Sequence, residues 1–409
     1  MSMNIQTLLH NIKLEEERNE RFLHLTANEN QLSNTARMFL GSKINERYYF
    51  GGGNENSIAD FGHFTALGFK GVQDLIEKAK RAAKEMLFAA DVNLNVLSGV
   101  HAMMCAILST TEPGDVVMTI PLKYGGHFAT QGILARVGRK HVFAEYDVEN
   151  LRFDVNKIAQ IFKENNAKAL YLDVSYYLNP HNLREIRKAL GEDAIIIYDA
   201  SHTMGLIMGQ QFQAPLKEGA NVVCANTHKT LPGPHKGMIA FRDKELADKA
   251  NKIIDACLYS TPHITHLIAL STTILEMKEF GQEYAKQIIV NSNSIAKSFV
   301  DLGYEARKAN TGKYSENHQA HVFIDNKGDH MVMYKSLLDN QISTNFEHNL
   351  YGERWFIRIG TAEITRRGMK EKEMTVIAQL IDRAMKGENV KKEVVLLNNQ
   401  FSTIQYSFD

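Results

Sequence analysis

The run Val222-Val223-Cys224-Ala225-Asn226-Thr227-His228 leads directly to Lys229, which is followed by Thr230-Leu231 and a stiff Pro232-Gly233-Pro234 turn. A lysine placed this way can form an imine. To condense with an aldehyde its amine must spend time neutral, which needs a partly dry site and a backbone fixed closely enough to aim it. The plain alternative is a surface lysine in a turn, and the segment alone does not choose between them.

Four other segments offer chemistry that would complement such a lysine. Leu94-Asn95-Val96-Leu97 turns at Ser98-Gly99 and opens a helix at Val100-His101-Ala102. The free N–H groups and dipole of a helix start bind anions; Ser98 Oγ adds a donor, and Gly99 admits a phosphate close to the backbone. An ordinary N-cap is the alternative. Asp199 ends the apolar run Ile195-Ile196-Ile197-Tyr198 and precedes Ala200-Ser201-His202. At the carboxyl edge of an open sheet, where ligands bind, an aspartate can keep a pyridine nitrogen protonated and make the ring an electron sink, with His202 in reach of the ring's phenolic oxygen. A strand-end cap is the alternative. In Leu122-Lys123-Tyr124-Gly125-Gly126-His127 the tyrosine can stack on a flat cofactor or cover the core. In Trp355-Phe356-Ile357-Arg358-Ile359-Gly360 an arginine inside an apolar strand needs an anionic partner, either a substrate carboxylate or an internal salt bridge. His263 and His266 lack the further ligands of a metal site, and Gly51-Gly52-Gly53 lacks the GK[ST] of a phosphate loop, so no metal is expected.

These residues need a scaffold, and the chain supplies an α/β one. Short apolar runs at 93–97, 116–120, 141–144, 169–174, 194–198, 221–225 and 237–241 alternate with helical spacing, which predicts a largely parallel sheet. Helical spacing also covers 4–21, 75–88 and 370–386, and a long stretch from 244 to 302 interrupted near Thr261-Pro262. Strands at 321–324 and 354–359 point to a smaller C-terminal α+β domain. With roughly 100–200 residues per domain, the expected division is an arm over 1–50, a large domain over 51–256 and a small domain with its connecting helix over 257–409. Lys plus Arg and Asp plus Glu both total 47, so no overall field favours nucleic acid or an anionic membrane. There is no apolar run of the ~20 residues that span a bilayer and no export signal, which points to the cytoplasm. Cys105, Cys224 and Cys257 lie far apart and read as reduced core thiols.

A phosphate turn, a stacking aromatic, a strand-end aspartate and an imine lysine, in this order, describe an aldehyde-cofactor site resembling pyridoxal-phosphate enzymes of the aspartate aminotransferase fold. More narrowly, Ala27-Asn28-Glu29-Asn30, Arg47-Tyr48-Tyr49, Thr227-His228-Lys229-Thr230-Leu231, Arg358-Ile359-Gly360-Thr361 and Ile364-Thr365-Arg366-Arg367-Gly368 resemble serine hydroxymethyltransferases, over about residues 25–384. The resemblance implies fold type I: a large domain with a mixed, mainly parallel seven-stranded sheet flanked by helices. It makes pyridoxal 5'-phosphate the cofactor and Lys229 the imine lysine. Asp199 becomes the partner of the pyridine nitrogen, and His202 and Ser175 become contacts of the cofactor. Ser98 and Gly99 would hold the phosphate with Val100, which stands at a family serine, and Thr227 belongs to the same cofactor set. Tyr124 stands at the family's stacking histidine and Asn28 at its substrate-contacting serine. Arg358 would bind the amino-acid carboxylate, helped by Tyr49 from a partner subunit, so the resemblance also implies a homodimer with shared sites.

The departures cluster at one function. The family's Tyr-Ala-Glu pattern reads Phe39-Leu40-Gly41, its arginine six residues past the lysine is His235, and its glycine-rich turn is replaced by Tyr259-Ser260-Thr261-Pro262. The missing glutamate serves proton transfer in the folate reaction, so cofactor binding is expected to survive while tetrahydrofolate use is not. The expected activity is folate-independent aldol or transaldol chemistry at the Cα–Cβ bond of a β-hydroxy amino acid, with an amino acid and an aldehyde as small-molecule partners. His127, Glu55 and His228 are the candidate bases. The alternatives are folate-dependent hydroxymethyl transfer with Glu55 in the missing role, other pyridoxal-phosphate chemistry such as racemisation, decarboxylation or transamination, and a non-catalytic binding protein on this fold.

Overall fold

In the computed structural model, which describes residues 4–325 and 327–409, the seven apolar runs form one sheet. Its spatial order is Asp91–Asn93, Gly237–Phe241, Val222–Asn226, Ile195–Asp199, Ala169–Leu172, Val116–Thr119 and Lys140–Phe143. Gly237–Phe241 runs antiparallel to both neighbours, and the other pairings are parallel. Helices cover both faces, so Ala169–Leu172, Val222–Asn226 and Gly237–Phe241 are buried at every position, which is why they read as unbroken apolar runs. The first strand lies earlier than its run, because the chain leaves the sheet after Asn93 toward the Ser98 turn.

The helical stretch after Asp243 is broken where proline requires it. Lys244–Ile253 continues into a π-helical turn, Ile254–Leu258, and a new helix, Ile264–Asp301, starts beyond Pro262 with His263 at φ +54°. Cys257 lies in that turn and is exposed, so only Cys105 and Cys224 are core thiols. The 38-residue helix joins two apolar cores: Leu267, Ile274 and Ile288 pack into the core of the large sheet, while Ile295 and Phe299 enter the core of the C-terminal part. There, Glu305–Ala306, Gln319–Phe323, Gly352–Gly360 and Asn345–Asn349 form an antiparallel sheet. Near the N-terminus, Leu23–His24 pairs in parallel with Ile342–Ser343. Leu23 and Leu25 are fully buried there, and burial of two leucines, about 2 kcal/mol each, anchors that segment. No helix among the described residues is long and apolar enough to cross a membrane.

Candidate active site

The carboxyl ends of Ala169–Leu172, Ile195–Asp199 and Val222–Asn226 open onto a cavity of about 260 Å³. Lys229, Asp199, His202, His228, Ser175, Ser98, Gly99 and Val100 all line it, together with His127, Tyr171 and Asp173. With His127, a candidate base, nine positions singled out from sequence, from Ser98 to Lys229, therefore meet at one sheet edge, as expected for open α/β sheets.

Lys229 is placed by its backbone. Asn30 Nδ2 donates to the Lys229 carbonyl at 2.6 Å and to Tyr284 Oη at 2.8 Å, and Thr230 Oγ1 donates to the His202 carbonyl at 2.8 Å. Nζ lies 3.0 Å from His202 Nε2. Burial lowers the lysine's pKa to about 8, with Asp199 opposing and Arg358 adding to the fall. The amine therefore has a neutral fraction near physiological pH, as imine formation needs. Burial first, then the charge of Lys229, pushes His202 well below its usual range, so its ring is neutral and can accept from the amine.

Asp199 is held from two sides: Tyr171 Oη donates to Oδ2 and the Ser201 N–H donates to Oδ1 at 2.8 Å. Tyr171 was not among the residues singled out from sequence, where it reads as one more apolar strand position. Parallel pairing with Ile197 puts it on the same face as Asp199 and explains the contact. At the other end, Gly99–Thr110 begins at Ser98, whose Oγ accepts from the His101 N–H at 3.1 Å. The N-cap and anion-binding readings are compatible, since a hydroxyl that accepts one bond can still donate another. A Cβ on Gly99 would stand 2.8 Å from Asn226 Cβ, so the close approach of strand and helix start requires glycine.

Four expected contacts, of Thr227, Tyr124, Asn28 and Arg358, fall outside the cavity lining, and Tyr49, expected from a partner subunit, lies outside its own chain's cavity. Thr227 Oγ1 donates to the Pro234 carbonyl at 2.6 Å and is fully buried, so it clamps the Pro-Gly-Pro turn and does not face the cavity. Tyr124 is also outside the lining; its ring packs on Tyr146 at 6.0 Å, and the turn through Gly125, at φ +87°, brings His127 to the cavity instead. Asn28 is exposed, and Asn30, two residues on, makes the contact with the lysine segment. Tyr49 Oη donates to Gln73 Oε1, beside Asn95 and Tyr259, away from its own chain's Lys229. Arg358 does not line the cavity, although its charge reaches both Lys229 and His202. It is paired internally: Nη2 meets Glu347 Oε1 at 3.1 Å and Asn345 Oδ1 at 3.4 Å, and the guanidinium lies over the Tyr176 ring at 4.6 Å. Its Nε is buried without a partner among the described residues.

Among the candidate bases, Glu55 lies in an exposed loop outside the lining. His228 stacks on His235, with centroids 3.9 Å apart, and burial lowers its pKa to about 3, so it is neutral and a weak base. His127 lines the cavity and is also kept below its usual pKa by burial.

The cavity fits pyridoxal phosphate on the chemistry of its groups. It offers a lysine amine of lowered pKa, a fixed carboxylate, a helix start without a side chain in the way, and buried polar atoms without partners among the described residues, including His202 Nδ1 and Asn226 Oδ1. Fold and site define a pyridoxal-phosphate enzyme of fold type I. The particular family follows from the comparisons: the family model described as serine hydroxymethyltransferase matches residues 1–381, and the chain belongs to that family. It is 33% identical to a serine hydroxymethyltransferase of Methanocella arvoryzae, over all of this chain and 97% of the relative. It is 32% identical to a fluorothreonine transaldolase of Streptantibioticus cattleyicolor, over 97% of this chain but 63% of that longer protein. The crystal structure of L-threonine transaldolase from Pseudomonas fluorescens, in its internal aldimine state, superposes with a TM-score of 0.88 at 28% identity, covering 99% of this chain and 94% of that one.

Proposed function

We propose that this protein exchanges the side chain of a β-hydroxy amino acid by folate-independent transaldol chemistry, breaking one Cα–Cβ bond and making another. The observation that carries the reading is the match along almost the whole chain to an L-threonine transaldolase, joined to Phe39-Leu40-Gly41 where the family carries its folate-reaction glutamate. When bound, pyridoxal phosphate supplies an electron sink conjugated to Cα. Lys229 contributes the amine that holds and releases it. Asp199, braced by Tyr171, would keep the ring nitrogen protonated, while Ser98 and the N–H groups of Gly99 and Val100 would hold the phosphate. His202 and Ser175 would contact the ring, and His127, which lines the cavity where Tyr124 does not, would stack on it.

Arg358 would hold the substrate carboxylate through donors that Glu347 leaves free, and so orient the Cα–Cβ bond that is to break. His127 takes the hydroxyl proton as the first aldehyde leaves and returns it to the oxygen of the second. Tyr49, remote from its own chain's cavity, completes the partner's site in a homodimer. The test is threonine with an acceptor aldehyde, with and without tetrahydrofolate. Acetaldehyde release coupled to a new β-hydroxy amino acid without folate is expected; serine consumption that depends strictly on folate would overturn the proposal. That second reading, folate-dependent hydroxymethyl transfer, is favoured by one observation, the match to the Methanocella enzyme over 97% of its length.

A further inference from the structure

Asp173 is a second carboxylate in the cofactor cavity that the roles above do not use. It is 4% exposed and lies one residue beyond the strand Ala169–Leu172. That strand pairs in parallel with Ile195–Asp199, Tyr171 opposite Ile197 and Leu172 opposite Tyr198. Continued one residue past its last pair, this register would set Asp173 opposite Asp199 on the same face, where adjacent strands are about 4.8 Å apart, and both residues line the same cavity. Asp173 is tethered on one oxygen only. Oδ2 accepts from Thr130 Oγ1 at 2.6 Å and from the His127 N–H at 3.2 Å, while Oδ1 is buried without a partner among the described residues.

We propose that the pyridine nitrogen is held by this pair of carboxylates, Asp199 and Asp173, which between them carry one proton before the cofactor binds, and not by Asp199 alone. The inference rests on the reading of the cavity as a pyridoxal-phosphate site. Two carboxylates on neighbouring strands in a dry site cannot both ionise without strong repulsion, so one keeps its proton. Oδ2 of Asp173 already accepts two hydrogen bonds, which leaves Oδ1 to carry the proton. As the cofactor enters, the Oδ1–H bond breaks and an N–H bond forms at the ring. A neutral acid and a pyridine become a carboxylate and a pyridinium, with no electrons transferred and no proton drawn from solvent. Burial, with the charge of Asp199 adding to it and the bonds from Thr130 and His127 opposing, brings Asp173 up to about 7. The other titratable groups around the pair are Tyr171 and Cys224, both buried and raised well above their usual ranges, and His127 and Lys229, both lowered. Neither Tyr171 nor Cys224 can ionise near neutrality to replace Asp173.

The experiment reconstitutes wild type, D173N, D199N and D173N/D199N with pyridoxal phosphate labelled with nitrogen-15 at the ring, and reads its chemical shift and the cofactor dissociation constant. In D173N the amide oxygen still serves the two donors on Oδ2, so the fold is retained. The expected result is a pyridinium-like shift in D199N with affinity weakened about tenfold, and a neutral-pyridine shift in the double variant with affinity weakened by about a further tenfold, each step worth about 1.4 kcal/mol. A neutral shift in D199N, with D173N indistinguishable from wild type, overturns the pair. If the double variant does not fold, the shift in D199N alone decides. Wild type that forms no Lys229-dependent visible band would sink the cofactor reading as well, whereas a normal wild type with a neutral D199N sinks only the pair.

Discussion

The fold carries the Lys229 amine in its cavity at a cost, and the cost can be measured. In the unfolded chain its amine titrates at 10.5, and in the folded cavity burial lowers it to about 8. Well below pH 8 the amine is protonated in both states, and the native state bears the whole penalty of confining a charge. Between about pH 8 and 10.5 the unfolded state holds a proton that the native state lacks, so stability rises with pH; above 10.5 the penalty is gone. The fall from 10.5 to about 8 corresponds to about 3 kcal/mol, discounted to about 2 kcal/mol because the side chain is not fully sealed from water. Lys229→Met removes the charge and keeps the apolar stem, at the loss of one hydrogen bond to His202 worth about 1 kcal/mol. The cofactor-free variant should therefore be more stable than cofactor-free wild type by about 1–2 kcal/mol at pH 7, a rise of roughly 2 °C in melting temperature for a chain of this length. The gap should close or reverse by pH 10. Calorimetric melting of both proteins across that range is the assay. A variant less stable at pH 7, or a gap that does not change with pH, would refute the argument that Lys229 is strained by desolvation.

Other expectations concern the supports of the site. Tyr171→Phe removes the hydroxyl that braces Asp199 and should weaken cofactor binding about tenfold, worth about 1.4 kcal/mol, with little loss of fold; equilibrium dialysis measures it. Gly99→Val drives a side chain onto Asn226 and should abolish retention of the cofactor while the protein still folds, read by the visible absorbance of the purified protein. Arg366 and Glu276 form a fully buried pair at 2.6 Å, so Glu276→Gln leaves an uncompensated cation and should cost about 3–5 kcal/mol, whereas Glu276→Leu with Arg366→Met should recover most of it. Melting curves of the single and double variants check this pair.

The sheet was legible because buried parallel strands must be apolar on both faces, and six of the seven runs lie within about two residues of a strand. Lys229, Asp199 and Ser98 were legible for a related reason: each interrupts or ends an apolar run at the edge where such sheets bind ligands. What failed was side-chain direction within loops. Tyr124 and His127 flank the same Gly125-Gly126 turn, and which ring faces the cavity depends on a positive φ at Gly125 that residue types alone do not reveal. Thr227 lies in the same segment as Lys229, yet the clamp on Pro234 turns it away. Asp173 was passed over because pairing it with Asp199 needs the register between two strands, a long-range fact.

Arg358 joins two readings that the sequence left open. Its charge meets Glu347 at 3.1 Å, so it has an internal partner, yet the guanidinium offers five donors and Nη2 alone makes the bonds to Glu347 and Asn345. An amino-acid carboxylate arriving on the free donors would face Glu347 across the cation. Two like charges about 6 Å apart repel by about 3 kcal/mol at an effective dielectric constant of about 20, less after screening by the guanidinium itself. Glu347 would then hold Arg358 in place without ligand and weaken binding with it. Glu347→Gln keeps the shape and an acceptor for Nη2 but removes the charge. It should tighten glycine binding about tenfold, about 1.4 kcal/mol, and lower the melting temperature of the ligand-free protein, because a buried guanidinium loses its counter-charge. Glycine titration followed by the visible absorbance, beside melting with and without glycine, separates the terms. Weaker glycine binding in the variant would mean that Glu347 aims Arg358 at the substrate, and the competition argument would fail.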